Sequence, residues 1–550
     1  MSLRPWRMGM IATGAALLAT GMLAACGSSG SSGSSGTTSS SGPTGVLTVA
    51  TGATSYPDDF NLYSPNAEDA TNGMIYEPLF FYDTAKAGEI TPWLGTTYAW
   101  SNGGKTLTVQ LKHNVKWTDG KPFTSADVVF TFNQALHSTA LNKFALPLAS
   151  VSADGTYGVT INFTKVAYTD AYYALGRVEI LPQHIWQSIT DPATFLNEHP
   201  VGTGAYILTK FSPQVFELTA NPHYYMPGLP HFKTVRFIGY SGNTTLDAAV
   251  EAGQLDWTGA FIPNIKQTYL AKDPKFVVSD IPLATTFLIT NMVSGPTTQL
   301  AVRQAISEAI NRSYISNTVY DGYAPATNPE ALITPNFNPV LDPSLASASF
   351  PSPNAAAAKS LLTKAGVATP LTLTVKMVAG YTDYLSDLQI MQQELKPAGI
   401  NLVIDQEAYT SFISDQDNGK FQLLMDSLGY TPDPWSYYYT VLDSSIAGPI
   451  GTADTVGNFG RYRNSTVDAA LSTIASTTST AAQQSAFNQI ETIFQQDMPL
   501  IPLWESQNEI EFNGNFVGNI PTVSNAYGAP AVYIQPDIGW IAARLTSVSK

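Results

Sequence analysis

Side chains that carry out catalysis or bind metals are sparse in this sequence, and their spacing matches no established catalytic or metal centre. No two of the six histidines stand four residues apart, and no His-Glu-x-x-His motif occurs. Asp415 and Asp417 begin a run typical of calcium loops, but Gly419 takes its fifth position and no Glu takes its twelfth. The folded part also lacks a Gly-x-Ser-x-Gly nucleophile elbow. The sequence therefore indicates no catalytic residue, no metal site and no cofactor.

One glycine-rich segment matches a phosphate-binding loop only in part. Gly104, Lys105 and Thr106 fit the end of that motif, but Ala99 stands where its leading glycine is required. We predict instead that this segment is a hairpin turn between two strands.

Aromatic residues are abundant where catalytic groups are scarce. They make up 11% of the chain and include the pair Tyr224-Tyr225 and the run from Trp435 to Tyr439. Most of the 61 aromatic side chains are expected to fill the core. The remainder favour a cleft that binds a ligand, since aromatic-lined clefts with few ionisable groups are typical of binding sites.

Amino-acid composition and net charge further restrict the class of protein to which this chain can belong. Hydrophobic residues make up 44% of the 550 residues and charged residues 13%, which is typical of a folded globular chain of about three domain-sized units. The net charge of −15 and the absence of a Lys/Arg-rich run disfavour a nucleic-acid partner. The single cysteine, Cys26, excludes an intramolecular disulfide.

The N-terminal segment is typical of an export signal. Arg4 and Arg7 precede an uncharged run over 8–25, which fits a signal peptide over 1–25, with an N-terminal membrane helix as the alternative. The run ends Leu-Ala-Ala-Cys, which resembles the lipobox of bacterial lipoproteins and makes Cys26 the expected lipid-attachment residue. Residues 27–45 contain no apolar side chain, so with Cys26 they form a flexible tether over 26–45.

The remainder of the chain alternates strand and helix patterns. Apolar residues at every second position predict strands near 107–111, 159–163 and 371–377. A helical stripe runs through 301–312, and Thr124 with Asp127 resembles a capping box at the start of a helix. Mixed strands and helices without a regular βαβ rhythm indicate an α/β or α+β class.

Several collinear segments resemble one family, the oligopeptide/dipeptide/nickel class of solute-binding proteins of ABC importers, bacterial extracellular solute-binding family 5. The longest reads LKHNVKWTDGKPFTSADVVF at 111–130. The resemblance covers about 46–545 and implies an α/β, two-lobed periplasmic-binding-protein-like fold of class II with an extra subdomain inserted in lobe I. The other matching segments are 76–80, 92–94, 181–184, 200–206, 221–230, 253–256, 302–312, 358–366, 433–434, 458–459 and 499–504.

The resemblance also implies where each lobe lies in the chain. Lobe II is expected over 286–504 and the inserted subdomain over 80–202. Strand crossings near 283–291 and 503–508 are expected to form the hinge. Lobe I is expected to combine 46–79, 203–285 and 505–550.

Family members hold peptides with an acidic residue for the α-amino group and a basic residue for the carboxylate. Tyr430 aligns with the position of that acid; Asp433 is either its substitute or the cap of the helix that follows. Arg461 is a candidate base, and Trp435 is the favoured stacking residue. The residues that the resemblance places in the cleft are Tyr56, Asn72, Thr286, Phe287, Tyr430, Asp433, Trp435 and Arg461.

These patterns lead to one functional hypothesis with three alternatives. The chain is expected to be a monomeric lipoprotein on the outer face of the bacterial cytoplasmic membrane, or in a periplasm, that delivers a peptide or peptide-like solute to an ABC permease. It is expected to carry out no chemistry. The alternatives are a binder of a nickel chelate, oligosaccharide or other non-peptide solute on the same fold, a secreted lipoprotein hydrolase, and a peptide-capturing chaperone or signalling receptor.

Overall fold

Three β-sheets form the framework of the molecule. The computed structural model describes residues 43–64, 66–240, 243–333, 337, 349–429, 431–453, 457–506 and 510–548. The strands in these ranges are β1 (Thr44–Ala50), β2 (Phe80–Asp83), β3 (Glu89–Pro92), β4 (Gly95–Ser101), β5 (Thr106–Leu111), β6 (Leu148–Asp154), β7 (Gly158–Phe163), β8 (Tyr206–Ser212), β9 (Val215–Ala220), β10 (Phe232–Ile238), β11 (Trp257–Gly259), β12 (Phe276–Ser279), β13 (Ala284–Thr290), β14 (Leu371–Val378), β15 (Ile400–Glu407), β16 (Leu423–Leu428), β17 (Leu500–Ser506), β18 (Ile510–Asn513), β19 (Val517–Gly518) and β20 (Thr546–Ser547).

Helices pack against these sheets and connect their strands. None of the described helices is long and apolar enough to cross a membrane. The α-helices are α1 (Ser125–His137), α2 (Ala171–Gly176), α3 (Gln183–Trp186), α4 (Asn243–Glu251), α5 (Leu300–Ala309), α6 (Arg312–Val319), α7 (Ala355–Lys364), α8 (Thr382–Leu395), α9 (Tyr409–Asp417), α10 (Pro434–Leu442), α11 (Ser465–Ser476), α12 (Thr480–Asp497) and α13 (Asp537–Arg544).

Each of these sheets lies mainly in one of the three predicted regions, and β13 and β17 extend past the lobe II boundaries predicted at 286 and 504. A seven-stranded sheet of order β12-β18-β11-β1-β10-β9-β8 belongs to lobe I, and a four-stranded sheet of order β4-β5-β7-β6 belongs to the inserted subdomain. A five-stranded sheet of order β15-β14-β16-β13-β17 belongs to lobe II. The division into lobes that move as units stays a prediction.

Two neighbouring strands connect the sheets of the two lobes. The chain passes from β12 of the seven-stranded sheet into β13, and from β17 back into β18. β13 and β17 pair antiparallel, with Ala284 opposite Ser506 and Ile289 opposite Leu500. Both crossings therefore lie side by side, where the sequence predicts the hinge.

Alternation along β13 explains how the lobe II sheet is buried on both faces. Phe287 and Ile289 face one apolar cluster, and Leu288 faces a second on the opposite side. All seven residues of the strand are buried, as expected for a central strand covered by helices on both sides.

Local sequence signals for helix ends are confirmed. The Thr124 hydroxyl accepts from the backbone N–H of Ala126 at 3.3 Å, and Asp127 accepts from the backbone N–H of Thr124 at 2.9 Å, so the capping box is formed. Asp433 accepts from the backbone N–H of Ser436 at 2.8 Å and begins α10. The glycine-rich segment after β4 is the predicted hairpin turn into β5.

Two glycines allow the backbone of the inserted region to pass against lobe I. A Cβ atom at Gly202 would lie 1.8 Å from the Ile75 carbonyl oxygen, and one at Gly204 would lie 2.1 Å from that of Met74. Neither contact is sterically allowed, so a side chain at either position would push two backbone segments apart.

We expect Gly202→Ala to lower the free energy of unfolding by about 3 kcal/mol, because the clash is with backbone and cannot be relieved by a rotamer change. Chemical denaturation of the two proteins measures the difference. Gly448→Ala is the matched control, since the nearest atom to its added Cβ lies at 3.5 Å. Equal denaturation midpoints for Gly202→Ala and Gly448→Ala would contradict the close approach of Gly202 to the Ile75 backbone.

Candidate functional site

A cleft of about 840 Å³ lies where lobe I, the inserted subdomain and lobe II meet. Lobe I contributes the segment after β11 and Gln535, and the inserted subdomain contributes Arg177. Lobe II contributes Thr286 of β13, the end of β16, and residues of α8 and α9. Its volume is in the range of sites that enclose small molecules.

The lobe II side of the cleft carries two carboxylates. Asp426, near the end of β16, accepts from the Gln416 side-chain amide at 2.5 Å and from the Ser427 backbone N–H at 2.8 Å. Burial raises the pKa of Asp426 to about 6 despite these bonds. Asp383, in the first turn of α8, also has its pKa raised to about 6 by burial. Neither forms an ion pair within 4.0 Å among the described residues.

A chain of hydroxyl groups connects the hinge strand to Ser427 and Tyr384, which follow Asp426 and Asp383 directly in sequence. The Thr286 hydroxyl and the Ser427 hydroxyl are 2.8 Å apart, and the Ser427 and Tyr384 hydroxyls are also 2.8 Å apart. All three residues line the cleft. The hydrogen bonds connect β13, β16 and α8, so they fix the positions of the lobe II side chains relative to the hinge.

The inserted subdomain contributes the opposite charge. Arg177 follows α2 and donates from Nη1 to the Tyr172 hydroxyl at 3.0 Å. Its Nε–H is buried and has no hydrogen-bond partner among the described residues, and no described carboxylate lies within 4.0 Å of the guanidinium. An unsatisfied buried donor of this kind favours an anionic group of a ligand.

Gln535 presents an amide to the cleft from lobe I. Its Nε2 donates to Asp69 at 2.8 Å, and its Oε1 accepts from the Asn72 side-chain amide. Asn72 Oδ1 is buried without a hydrogen-bond partner among the described residues. This network holds Gln535 in place and leaves an acceptor close to the cleft.

An acidic cluster lies behind this amide network. Glu68 is 7% exposed, and its Oε1 has no partner among the described residues. Burial, with the charges of Asp69, Asp59 and Asp58, raises the pKa of Glu68 to about 9. Because the folded pKa exceeds the unfolded value, the contribution to stability is complete below pH 4.5 and is lost as the pH rises towards 9.

We expect Glu68→Gln to raise the free energy of unfolding at pH 8 by about 2 kcal/mol, since the amide needs no proton uptake on folding. The gain shrinks as the pH falls and approaches zero below pH 4.5, where the Glu68 carboxyl is protonated in both the folded and the unfolded state. Thermal melts from pH 4.5 to 8.5 measure this dependence. Asp154→Asn removes the same charge at an exposed position; an equal gain in that variant would show that net charge alone is responsible.

The described residues that line the cleft include no group of side chains suited to binding a metal ion. Its lining contains neither histidine nor cysteine, and no group of three or more His, Cys, Asp or Glu side chains among the described residues has the arrangement that holds a metal ion. One guanidinium and two carboxylates give the ionised lining a net charge of −1. The arrangement suits a solute with separated positive and negative groups.

Three residues expected in the cleft lie in it or next to it. Thr286 lines the cleft. Asn72 contacts Gln535, which lines it. Tyr56 is 3% exposed and donates its hydroxyl to the Ile238 carbonyl at 3.1 Å, so it supports lobe I beneath the cleft lining.

Four other expected residues make contacts within lobe II and do not line the cleft. Phe287 is fully buried on the far face of β13, and Asp433 caps α10. The Trp435 indole N–H donates to the Leu471 carbonyl at 2.9 Å. Arg461 is 2% exposed and donates to backbone carbonyls, including that of Thr452 at 3.1 Å. Tyr430 and Cys26 lie outside the described residues.

Sequence reasoning missed the charged residues of the cleft. Asp426 interrupts the apolar run Leu423-Leu424-Met425, and a charge inside a buried strand is a signal that was available. Arg177 likewise follows an apolar segment, Ala171–Gly176, and precedes Glu179 by two residues. Asp383 has no comparable local signal, because acids are common in the first turn of helices.

Two lobes joined by paired crossing strands, with a lined cleft between them, define a solute-binding protein. The match to the family model described as bacterial extracellular solute-binding proteins, family 5 Middle, covers residues 89–449. The chain belongs to this family, whose members bind solutes and are not classed as enzymes, and the recognition and fold predicted from the sequence are confirmed.

Curated relatives are similar over most of their length. The chain is 25% identical to the nickel-binding periplasmic protein of Escherichia coli K12 over 515 residues, covering 89% of this chain and 94% of that protein. It is 24% identical over 453 residues to the periplasmic murein peptide-binding protein MppA of the same organism, covering 76% and 80%. These relatives support a location outside the cytoplasm.

Solved structures share the fold. A mannohexaose-bound periplasmic oligopeptide-binding protein of Thermotoga maritima matches with a TM-score of 0.80 at 23% identity, covering 92% of this chain and 99% of that one. The oligopeptide-binding protein AppA of Bacillus subtilis, in complex with a nonapeptide, matches with a TM-score of 0.73 at 21% identity, covering 92% and 100%.

Proposed function

We propose that this protein captures a peptide or peptide-like solute between its lobes and delivers it to the membrane subunits of an ABC importer. The observation that carries the proposal is the separation of charge across the cleft. Arg177 of the inserted subdomain faces the same cavity as Asp383 and Asp426 of lobe II. A zwitterionic solute with its carboxylate near the guanidinium and its ammonium near the carboxylates satisfies both.

A zwitterionic ligand of this kind makes closure of the two lobes depend on ligand binding. Each charged group of the solute contacts a different lobe, so both contacts form together only when the lobes are closed. A ligand shifts an opening equilibrium by its difference in affinity for the two states. A zwitterion bridging the lobes has a large difference, whereas a solute touching one lobe has little.

The family relatives include proteins named for nickel and for peptide binding, so the solute class needs a direct test. Purified protein is melted with tri- to pentapeptides, oligosaccharides, nickel chelates and opine-like acids. A ligand at one hundred times its Kd adds about 2.7 kcal/mol of stability. Stabilisation by peptides is expected; stabilisation by another class with no response to any peptide overturns the peptide assignment.

An oligosaccharide is the second candidate, and one observation favours it. Tyr381, Tyr409 and Tyr533 line the cleft and are 42%, 58% and 39% exposed. Exposed aromatic rings in a cleft also suit stacking on sugar faces. Turnover of chromogenic esters, glycosides or peptides, in contrast, would support the hydrolase alternative and contradict a pure binding role.

The proposal includes a lipid anchor on Cys26 and a monomeric protein held at the outer face of the membrane by the tether over 26–45. The lipobox-like Leu23-Ala24-Ala25-Cys26 supports it. Cys26→Ser is expected to release the protein from the membrane fraction of the expressing cells. Retention of that variant in the membrane would instead support the membrane-helix alternative.

A further inference from the structure

Three tyrosine rings are grouped on the lobe II side of the cleft. Tyr381 and Tyr384 meet edge to face, with ring centroids 5.8 Å apart at 78°. Tyr409, at the start of α9, lies close enough to Tyr381 to contribute to the raised pKa of that phenol. Tyr381 and Tyr409 remain 42% and 58% exposed, and no described Lys or Arg stacks on either ring.

The two cleft carboxylates, Asp383 and Asp426, line the same cavity as these rings. Burial first, then Tyr409, Asp426 and Asp383, raise the pKa of Tyr381 to about 12, so both acids are within electrostatic range of one ring. Asp426 also raises the pKa of Tyr409, after burial. Aromatic faces and carboxylates attract the same kind of group, a cation with low charge density.

We propose that Tyr381, Tyr384 and Tyr409, together with Asp383 and Asp426, form a subsite for an organic cation. The chemical class is an ammonium, methylated ammonium or guanidinium group carried by the solute. This inference rests on the proposed function and deepens it: a basic side chain of the peptide, in addition to the α-amino group, docks on lobe II, and cationic solutes are preferred over anionic ones.

The charge of the cleft selects this occupant over a neutral sugar. A sugar covering the rings would bury two carboxylates that have no ion-pair partner among the described residues, which is costly without a compensating charge. An organic cation neutralises them and stacks on the rings. With Arg177 satisfied by a carboxylate, the net charge of −1 leaves room for one further positive group.

The test compares matched peptides by isothermal titration calorimetry. Lys-Ala-Ala, Ala-Ala-Ala, Glu-Ala-Ala and N-acetyl-Ala-Ala-Ala differ only in charge at the first residue. We expect affinity to fall in that order, by about tenfold between the lysine and alanine peptides. Tetramethylammonium serves as a probe without a peptide, and is expected to stabilise the protein at millimolar concentration.

Substitutions at Tyr409 distinguish the contribution of its aromatic ring to binding from that of its hydroxyl group. Tyr409→Phe keeps the aromatic face and is expected to retain the preference for the lysine peptide, whereas Tyr409→Leu is expected to lose it. Asp383→Asn combined with Asp426→Asn should reverse the ranking of the Lys and Glu peptides. Tyr314→Leu is the control, since this tyrosine is 53% exposed and does not line the cleft.

The outcomes distinguish this subsite from the proposed function. Equal binding of all four peptides, with Tyr409→Phe and Tyr409→Leu alike, overturns the cation subsite and leaves peptide capture intact. Failure of every peptide, with stabilisation by tetramethylammonium that Tyr409→Leu abolishes, overturns peptide capture and supports the subsite. The absence of a response to both the lysine peptide and tetramethylammonium overturns the subsite.

Discussion

Replacing Glu77 with Leu is expected to lower the free energy of unfolding by about 4 kcal/mol or more, one of the two largest effects we expect. The carboxylate is fully buried in lobe I and accepts four side-chain hydrogen bonds. Leucine has a similar volume but removes the acceptor shared by all four donors, and the Trp93 indole N–H keeps a second, longer contact, to the Tyr224 hydroxyl at 3.4 Å. The donors are Trp93 Nε1 at 2.6 Å, Tyr224 Oη at 2.7 Å, Thr203 Oγ1 at 2.8 Å and Tyr225 Oη at 3.0 Å.

The size of this effect follows from the cost of an unsatisfied buried donor, about 1–3 kcal/mol each. Rotation of the hydroxyls relieves part of that cost, whereas the indole N–H has no such freedom. Burial raises the pKa of Glu77, so the site already bears a desolvation cost that the four bonds offset. Leucine removes the bonds as well as the charge, and the loss of the bonds is expected to dominate.

Denaturant midpoints of the native protein and Glu77→Leu measure the change in the free energy of unfolding. Two control variants show which property of the carboxylate is responsible. Glu77→Gln keeps an acceptor oxygen at the same place and is expected to lose about half as much stability. Glu89→Gln alters a side chain that is 64% exposed and is expected to change little. A Glu77→Leu protein as stable as the native one would show that the carboxylate contributes no net stability.

The parts of the fold that follow from local sequence were predictable, because their physical causes lie within a few residues. The cap formed by Thr124 and Asp127 needs only a three-residue spacing, and the turn after β4 needs only consecutive glycines. Gly202 and Gly204 lie in the segment 200–206 that resembles the family, and the sterically forbidden Cβ positions give the physical reason for glycine at both.

The cleft was not predictable in the same way, because its residues meet only after folding. Asn72 and Gln535 are 463 positions apart in sequence and hydrogen bond to each other. Arg177 comes from the inserted subdomain, and its unsatisfied Nε–H becomes visible only when the neighbouring segments are in place. Trp435 depends on tertiary structure in the same way: its indole N–H donates to the Leu471 carbonyl, 36 positions further along the chain, and its stacking role stays a prediction.

Arg177→Leu is expected to weaken binding of a peptide with a free C-terminal carboxylate by about 100-fold. The reason is that a desolvated charge pair that loses one partner leaves the other buried and unpaired, at a cost of about 2–5 kcal/mol. The native guanidinium has an open Nε–H and no described ion-pair partner, so the ligand supplies its missing acceptor. Titration calorimetry with one peptide, in free-acid and C-terminally amidated forms, measures the loss.

The amidated peptide identifies the source of the effect. If the carboxylate meets Arg177, amidation weakens binding to the native protein and has little further effect in Arg177→Leu, so the two changes are not additive. Arg177→Lys keeps a charge but not the planar donor set, and is expected to recover only part of the affinity. Arg236→Gln, on the exposed side of lobe I where it pairs with Glu217, is the control for loss of a positive charge. Additive losses from amidation and Arg177→Leu would place the carboxylate elsewhere in the cleft, and the bridge between the lobes would then need another cation.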